Sequence, residues 1–145
     1  MIREYKKQDL DRIMELWLET NILAHSFIND DYWKSNFDAV KEMMPNAILY
    51  VFEDGQDILG FIGLTDEYIA GIFVSDQHQS QGIGKQLLDY AKKKYSDLSL
   101  HVYIKNNRAI SFYQRECFVI VNEQVDENTS EIEIVMNWKR KNNSI

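Results

Sequence analysis

The segment from Tyr68 to Ile104 constrains the fold more than any other part of the chain. Tyr68–Val74 is rich in β-branched and aromatic residues and reads as a strand. A polar stretch, Ser75–Gln81, leads into Gly82–Lys94, where Ile83, Leu87, Leu88 and Ala91 form one apolar helix face. Lys92, Lys93 and Lys94 complement the negative end of that helix. Leu98–Ile104 is again a strand. A helix that crosses over between two strands makes them parallel neighbours in one sheet, because tight turns join only antiparallel pairs.

The other elements are arranged around this unit. Ile2–Tyr5 is a short strand, and Leu10, Ile13, Met14, Trp17 and Leu18 recur at amphipathic-helix spacing, with Asp9 near the start. Asp30 or Asp31 is the candidate cap of a second helix that carries Trp33, Phe37, Val40 and Met44 and ends at Pro45. Ala47–Glu53 and Ile58–Thr65 flank a turn centred on Asp54-Gly55, a hairpin signal. Arg108–Arg115 reads as a short helix, and Phe118–Val125 with Glu131–Trp138 as a closing hairpin. The order is β-α-α-β-β-β-α-β-α-β-β. No repeat or linker interrupts it, so residues 1–145 are read as one domain with a polar tail over 139–145.

Composition removes several classes of function. The formal net charge of −7 disfavours nucleic acid and anionic membranes, which require clustered Lys and Arg. No apolar run is long enough to span a bilayer, and the first residues carry no apolar signal segment, so a cytoplasmic location is expected. Cys117 is the single cysteine, and with three scattered histidines it offers no metal-ligand spacing; no metal is expected. His78 and His101 are assigned no role.

Gln79-Ser80-Gln81-Gly82-Ile83-Gly84-Lys85 lies where a strand feeds a helix. Such a junction aims free backbone N–H groups and the positive helix end at one spot, and glycines there admit an anion closely. A Walker-type loop requires Gly at position 79 and Ser or Thr at 86, where this chain has Gln79 and Gln86. A dinucleotide fingerprint starting at Gly82 requires Gly at 87, where Leu87 stands. Both nucleotide loops fail. The glycines then mark either another phosphate-bearing ligand or merely a turn and helix start.

Asn106-Asn107-Arg108-Ala109-Ile110-Ser111-Phe112-Tyr113-Gln114-Arg115-Glu116-Cys117-Phe118 decides between these. Together the two segments resemble the GNAT superfamily of acetyl-CoA-dependent N-acetyltransferases. That superfamily pairs (Arg or Gln)-x-x-Gly-x-(Gly or Ala) with Asn-x-x-Ala-x-x-(Phe or Leu)-Tyr-x-x-x-Gly-Phe. Gln79, Gly82 and Gly84 match the first; Asn106, Ala109, Phe112, Tyr113 and Phe118 match the second. Cys117 replaces the usual glycine. The opening Ile2-Arg3-Glu4, with Leu16–Glu19 and His25-Ser26-Phe27-Ile28, is similar to small bacterial members, some of them protein lysine acetyltransferases.

The resemblance implies a mixed, mostly antiparallel sheet of six to seven strands flanked by about four helices. It implies acetyl-CoA as co-substrate, with the backbone of Ile72, Phe73 and Val74 pairing with the pantetheine arm like an added strand. One of those N–H groups would also stabilise thioester oxyanion charge. Amides from Gln79, Ser80, Gln81, Gly82, Ile83, Gly84 and Lys85 would hold the pyrophosphate. Asn106 either bonds the pantetheine arm or caps the next helix.

An amine with a pKa of about 10.4 must lose a proton before it attacks, and the departing thiolate must regain one. Tyr113 is the candidate acid by its family position. Glu67 and His25 are candidate bases, and Trp17, His25, Phe27, Tyr32 and Tyr68 candidate acceptor-groove residues. The expected acceptor is a primary amine, of a small molecule, a protein lysine or an N-terminus, and the expected state monomer or homodimer. The competing reading is a non-catalytic acyl-CoA-binding or interaction domain.

Overall fold

The computed structural model describes residues 1–141. Its elements follow the expected order: β1 (Ile2–Glu4), α1 (Leu10–Ala24), α2 (Asp30–Met43), β2 (Ile48–Asp54), β3 (Asp57–Thr65), β4 (Tyr68–Val74), α3 (Ile83–Lys94), β5 (Asp97–Tyr103), α4 (Asn107–Arg115), β6 (Val119–Asp126) and β7 (Glu131–Lys139). The strands form one seven-stranded sheet in the order β1-β2-β3-β4-β5-β7-β6, antiparallel except at β4–β5. The crossover helix α3 accounts for that exception.

Both faces of the sheet are covered where β2 and β3 run. Leu49, Val51, Ile58 and Phe61 pack with Ile13, Leu16 and Trp33 of α1 and α2. Tyr50, Ile62 and Leu64 point the other way, onto Leu87, Leu88 and Ala91 of α3. A strand covered on both faces has no solvent side, which is why Ile58–Leu64 is buried throughout.

Two local expectations are corrected. Asn29, not Asp30 or Asp31, caps α2: it has extended backbone angles, and its side chain accepts the Asp31 N–H at 2.9 Å. Asp30 and Asp31 instead occupy the first turn, where acids favour the helix dipole. The expected tail also begins too early. Lys139 closes β7, and the Arg140 guanidinium donates to Lys92 O at 2.7 Å and Tyr95 O at 3.1 Å, satisfying the C-terminal carbonyls of α3. The last four tail positions, 142–145, lie outside the described residues.

Candidate active site

The site begins where the parallel pair fails. Strands β4 and β5 pair only at Tyr68↔Ser99 and Ile69↔Leu100. Opposite this point the β3–β4 ladder shifts register: Leu64 pairs Ile69 while Gly63 pairs Gly71, leaving Ala70 as an extra residue. A bulge bends its strand and increases the local twist. Beyond Ala70, β4 stays paired with β3 through Val74 and parts from β5, so one side of its backbone is unpaired. A cleft of about 940 Å³ opens there, with Ala70 to Val74 along one wall. Ile72, Phe73 and Val74 thus stand where an extended ligand can add to the sheet.

Glycine chemistry shapes the next stretch. Ser80 and Gly82 both take left-handed backbone angles, φ 65 and φ 81, and α3 starts directly after Gly82 with no side-chain cap. The first N–H groups of α3 therefore have no side-chain acceptor, a ready anion cradle. Gln79 braces the loop by donating from Nε2 to Val74 O at 3.3 Å. Ser80, Gly82, Ile83, Gly84 and Lys85 line the cleft, but Gln81 turns to a separate depression with Met1 and Phe52. The Lys85 ammonium is engaged by Glu116 at 3.0 Å and Asp89 at 3.3 Å. The cation aimed at the loop is Arg108, whose Nη2 lies 3.4 Å from Ser80 Oγ.

Helix α4 brings Tyr113 into the cleft and locks it there. Phe118 N–H donates to Tyr113 O at 2.9 Å and Cys117 N–H to Gln114 O at 3.1 Å, with Cys117 left-handed at φ 73. This is a Schellman stop, completed by the Tyr113–Phe118 ring contact at 5.4 Å. Cys117 accepts the strain that the usual glycine would avoid. Burial pushes the Tyr113 hydroxyl well above its ordinary range, with the nearby Tyr68 adding to the shift, so it stays protonated.

Asn106 caps α4: its Oδ1 accepts the Ala109 N–H at 3.2 Å. Its side-chain nitrogen faces His25 Nε2 at 3.3 Å. Asn106 also lines the cleft.

His25 is held on all sides. Nδ1 lies 3.1 Å from Asn21 O, and the ring stacks on Trp33 at 5.2 Å and meets Tyr103 and Phe27 edge-on. Burial lowers its pKa, so the ring is neutral. Trp17 and Tyr68 also line the cleft. Phe27 and Tyr32 do not; they pack behind, against His25 and Trp33. Glu67 is exposed at the β3–β4 turn, outside the cleft lining, and only its carbonyl is used, by Ser99 N–H at 3.0 Å.

His101, Tyr103, Glu133 and Trp33 complete this end of the cleft. Alternation along β5 puts His101 and Tyr103 opposite the buried Leu98, Leu100 and Val102, a signal present in the sequence. Glu133 could not be found that way, because its place depends on β5–β7 pairing, Tyr103↔Glu133, across a long sequence separation. Among the described residues no helix is long and apolar enough to cross a membrane.

A sheet splayed at one parallel junction, with an uncapped glycine-led helix at the end of the gap, puts an open strand edge and an anion cradle into one cleft. A family model described as "Acetyltransferase (GNAT) domain" matches residues 45–120. The chain belongs to the GNAT acetyltransferase family and is an N-acetyltransferase. It is 36% identical over 140 residues to the peptidyl-lysine N-acetyltransferase YiaC of Escherichia coli, covering 95% of this chain and 96% of that protein. It is 27% identical over 128 residues to the peptidyl-lysine N-acetyltransferase YjaB of Salmonella typhimurium, covering 87% and 88%. Among solved structures, apo YjaB from Escherichia coli superposes with a TM-score of 0.85 at 20% identity, covering 97% of this chain and 98% of that one. YncA from Salmonella typhimurium, solved with acetyl-CoA, gives 0.68 at 15% identity, covering 100% and 96%. These two structural likenesses bear on the fold.

Proposed function

We propose that the protein transfers the acetyl group of acetyl-CoA to the side-chain amine of a lysine in a peptide or protein, by direct attack within a ternary complex. One observation carries this reading: a single cleft joins the unpaired β4 edge to an end lined by Trp17, Trp33, Tyr103, Tyr68 and Glu133. Aromatic faces suit a methylene chain that ends in an ammonium. The similarity to YiaC supports the same acceptor class.

In this reading the free groups of Ile72, Phe73 and Val74 hold the pantetheine arm. The amides of Ser80 and Gly82–Lys85 hold the pyrophosphate, with Arg108 adding charge. A β4 N–H stabilises the oxyanion that forms as the amine attacks. Tyr113, protonated because buried, returns a proton to the leaving thiolate.

The test is incubation with acetyl-CoA and lysine peptides, polyamines, amino acids and aminoglycosides, read by mass spectrometry and thiol release. Acetylated lysine peptides with matching free CoA are expected. Transfer to polyamines or aminoglycosides with none to peptides refutes the lysine reading.

A further inference from the structure

The geometry points to His101 as the base that takes the acceptor amine's proton, oriented by the Glu133 carboxylate. We infer this on the reading above that an amine attacks a thioester in this cleft.

Three observations place it there. The last β4–β5 pair is Ile69↔Leu100, so His101 is the first β5 residue past the point where the strands part, next to the Ala70 bulge. Its ring lines the cleft, about a third exposed, on the opposite strand face from the buried Leu100 and Val102. It is also held from three strands. Nδ1 lies 3.4 Å from Glu133 Oε1 on β7. Gln124 of β6 donates to that same Oε1 at 2.7 Å and sits 3.3 Å from Nδ1. Tyr68 of β4 meets the ring edge-on at 5.1 Å.

In the tautomer with hydrogen on Nδ1, that N–H and the Gln124 amide both face Glu133 Oε1, and the Nε2 lone pair is left to accept a proton. With the second proton on Nε2, Nδ1–H still faces the Glu133 carboxylate, so the ring keeps its orientation. The sequence candidates lack this arrangement. Both His25 nitrogens are engaged, by Asn21 and Asn106, and burial disfavours its charged form. Glu67 is outside the cleft lining.

Atoms and charge balance in this step. The acceptor ammonium gives one proton to His101 Nε2, which passes it to solvent. The freed lone pair forms the C–N bond to the thioester carbonyl carbon, and collapse of the tetrahedral intermediate breaks C–S. The thiolate takes a proton from Tyr113, and the second nitrogen-bound proton of the intermediate restores the tyrosine. The net products are amide, CoA thiol and one proton.

The experiment compares His101→Ala, Glu133→Gln and the double variant at saturating acetyl-CoA, on every amine the parent protein acetylates. His101→Ala is expected to lower kcat about 100-fold. The acetyl-CoA KM and the Tm rise that acetyl-CoA causes stay unchanged, and added imidazole restores part of the rate. Glu133→Gln is expected to lower kcat about tenfold alone and to add nothing in the His101→Ala background, because it acts through that ring. If His101→Ala does not fold, His101→Gln is measured in its place, without the imidazole arm. Turnover retained without His101, acetyl-CoA binding lost together with turnover, or losses that multiply in the double variant each overturn the assignment. A parent enzyme that acetylates other amines but no lysine peptide overturns only the lysine reading. One that releases no CoA with any amine removes both.

Discussion

Tyr113→Phe separates chemistry from folding in this protein. The ring is 8% exposed and packs edge-on against Phe112 at 5.1 Å and Phe118 at 5.4 Å, and phenylalanine keeps both contacts. The shift of its hydroxyl arises from burial and Tyr68, with no hydrogen bond from the described residues contributing. Removing it therefore breaks no hydrogen bond among the described residues, and the hydroxyl borders the open cleft, so stability should change by less than about 1 kcal/mol. For a chain of this size that corresponds to a Tm within about 2–4 °C of the parent's. Activity should fall. Loss of a positioned general acid lowers kcat by about 10²- to 10⁴-fold, or roughly 2.7–5.5 kcal/mol of barrier. Thiol release under saturating acetyl-CoA measures the effect on turnover, and thermal melts with and without acetyl-CoA measure the effect on stability. A Tyr113→Phe enzyme within about threefold of wild-type turnover refutes the assignment of the acid. A Tm drop of more than about 4 °C refutes the packing argument.

Four further outcomes are expected. Cys117→Gly removes the left-handed strain at φ 73 but adds unfolded-state entropy, so a net gain of about 0.5–1 kcal/mol is expected, and a lower Tm would contradict it. Gly82→Ala meets no neighbour closer than 4.0 Å, yet its φ of 81 imposes about 1–2 kcal/mol of strain, read as lower Tm or as acetyl-CoA binding weakened roughly 5- to 30-fold. Gly84→Ala, whose added carbon would lie 3.6 Å from Phe112, should be nearly silent, and a reversed ranking would refute the loop reading. Asp9 is held below its ordinary pKa, first by the Arg3 hydrogen bonds at 2.8 and 3.0 Å. A depressed folded pKa stabilises above the unfolded value near 4 and is lost as pH falls through the folded value. Asp9→Asn should therefore cost about 1–2 kcal/mol at neutral pH, discounted because Arg3 keeps Glu53 as partner, and the gap to wild type should close below about pH 4. A gap independent of pH would refute it.

Local patterns carry much of this fold. Tyr68–Val74 has the boundaries its β-branched run indicates, and the crossover to Leu98 correctly makes β4 and β5 parallel neighbours. Expectations fail where several residues share one local capacity. Asn29, Asp30 and Asp31 can all cap a helix, and only backbone angles select Asn29. Asn106 caps α4 by accepting the Ala109 N–H, which sequence offered as one of its two roles. Alternation along β5 turns His101 away from the core but names no role for it, because one histidine in an alternating strand has no partner within its own segment.

Family, element order and the glycine-led helix start follow from the sequence alone, because periodicity, turn chemistry and motif spacing are local properties of the chain. Tyr113 is marked in the same way, through the segment that ends in the Schellman stop. What lies opposite it is a matter of tertiary contacts. The gap exists because β4 leaves β5 after Ile69, and that departure depends on a register shift against β3. His101 gains Glu133 and Gln124 through β5–β7 and β6–β7 pairing, while Glu67 is left on an exposed turn. Such contacts follow from how strands register across the sheet, and pairing between distant segments is not written in the pattern of either one.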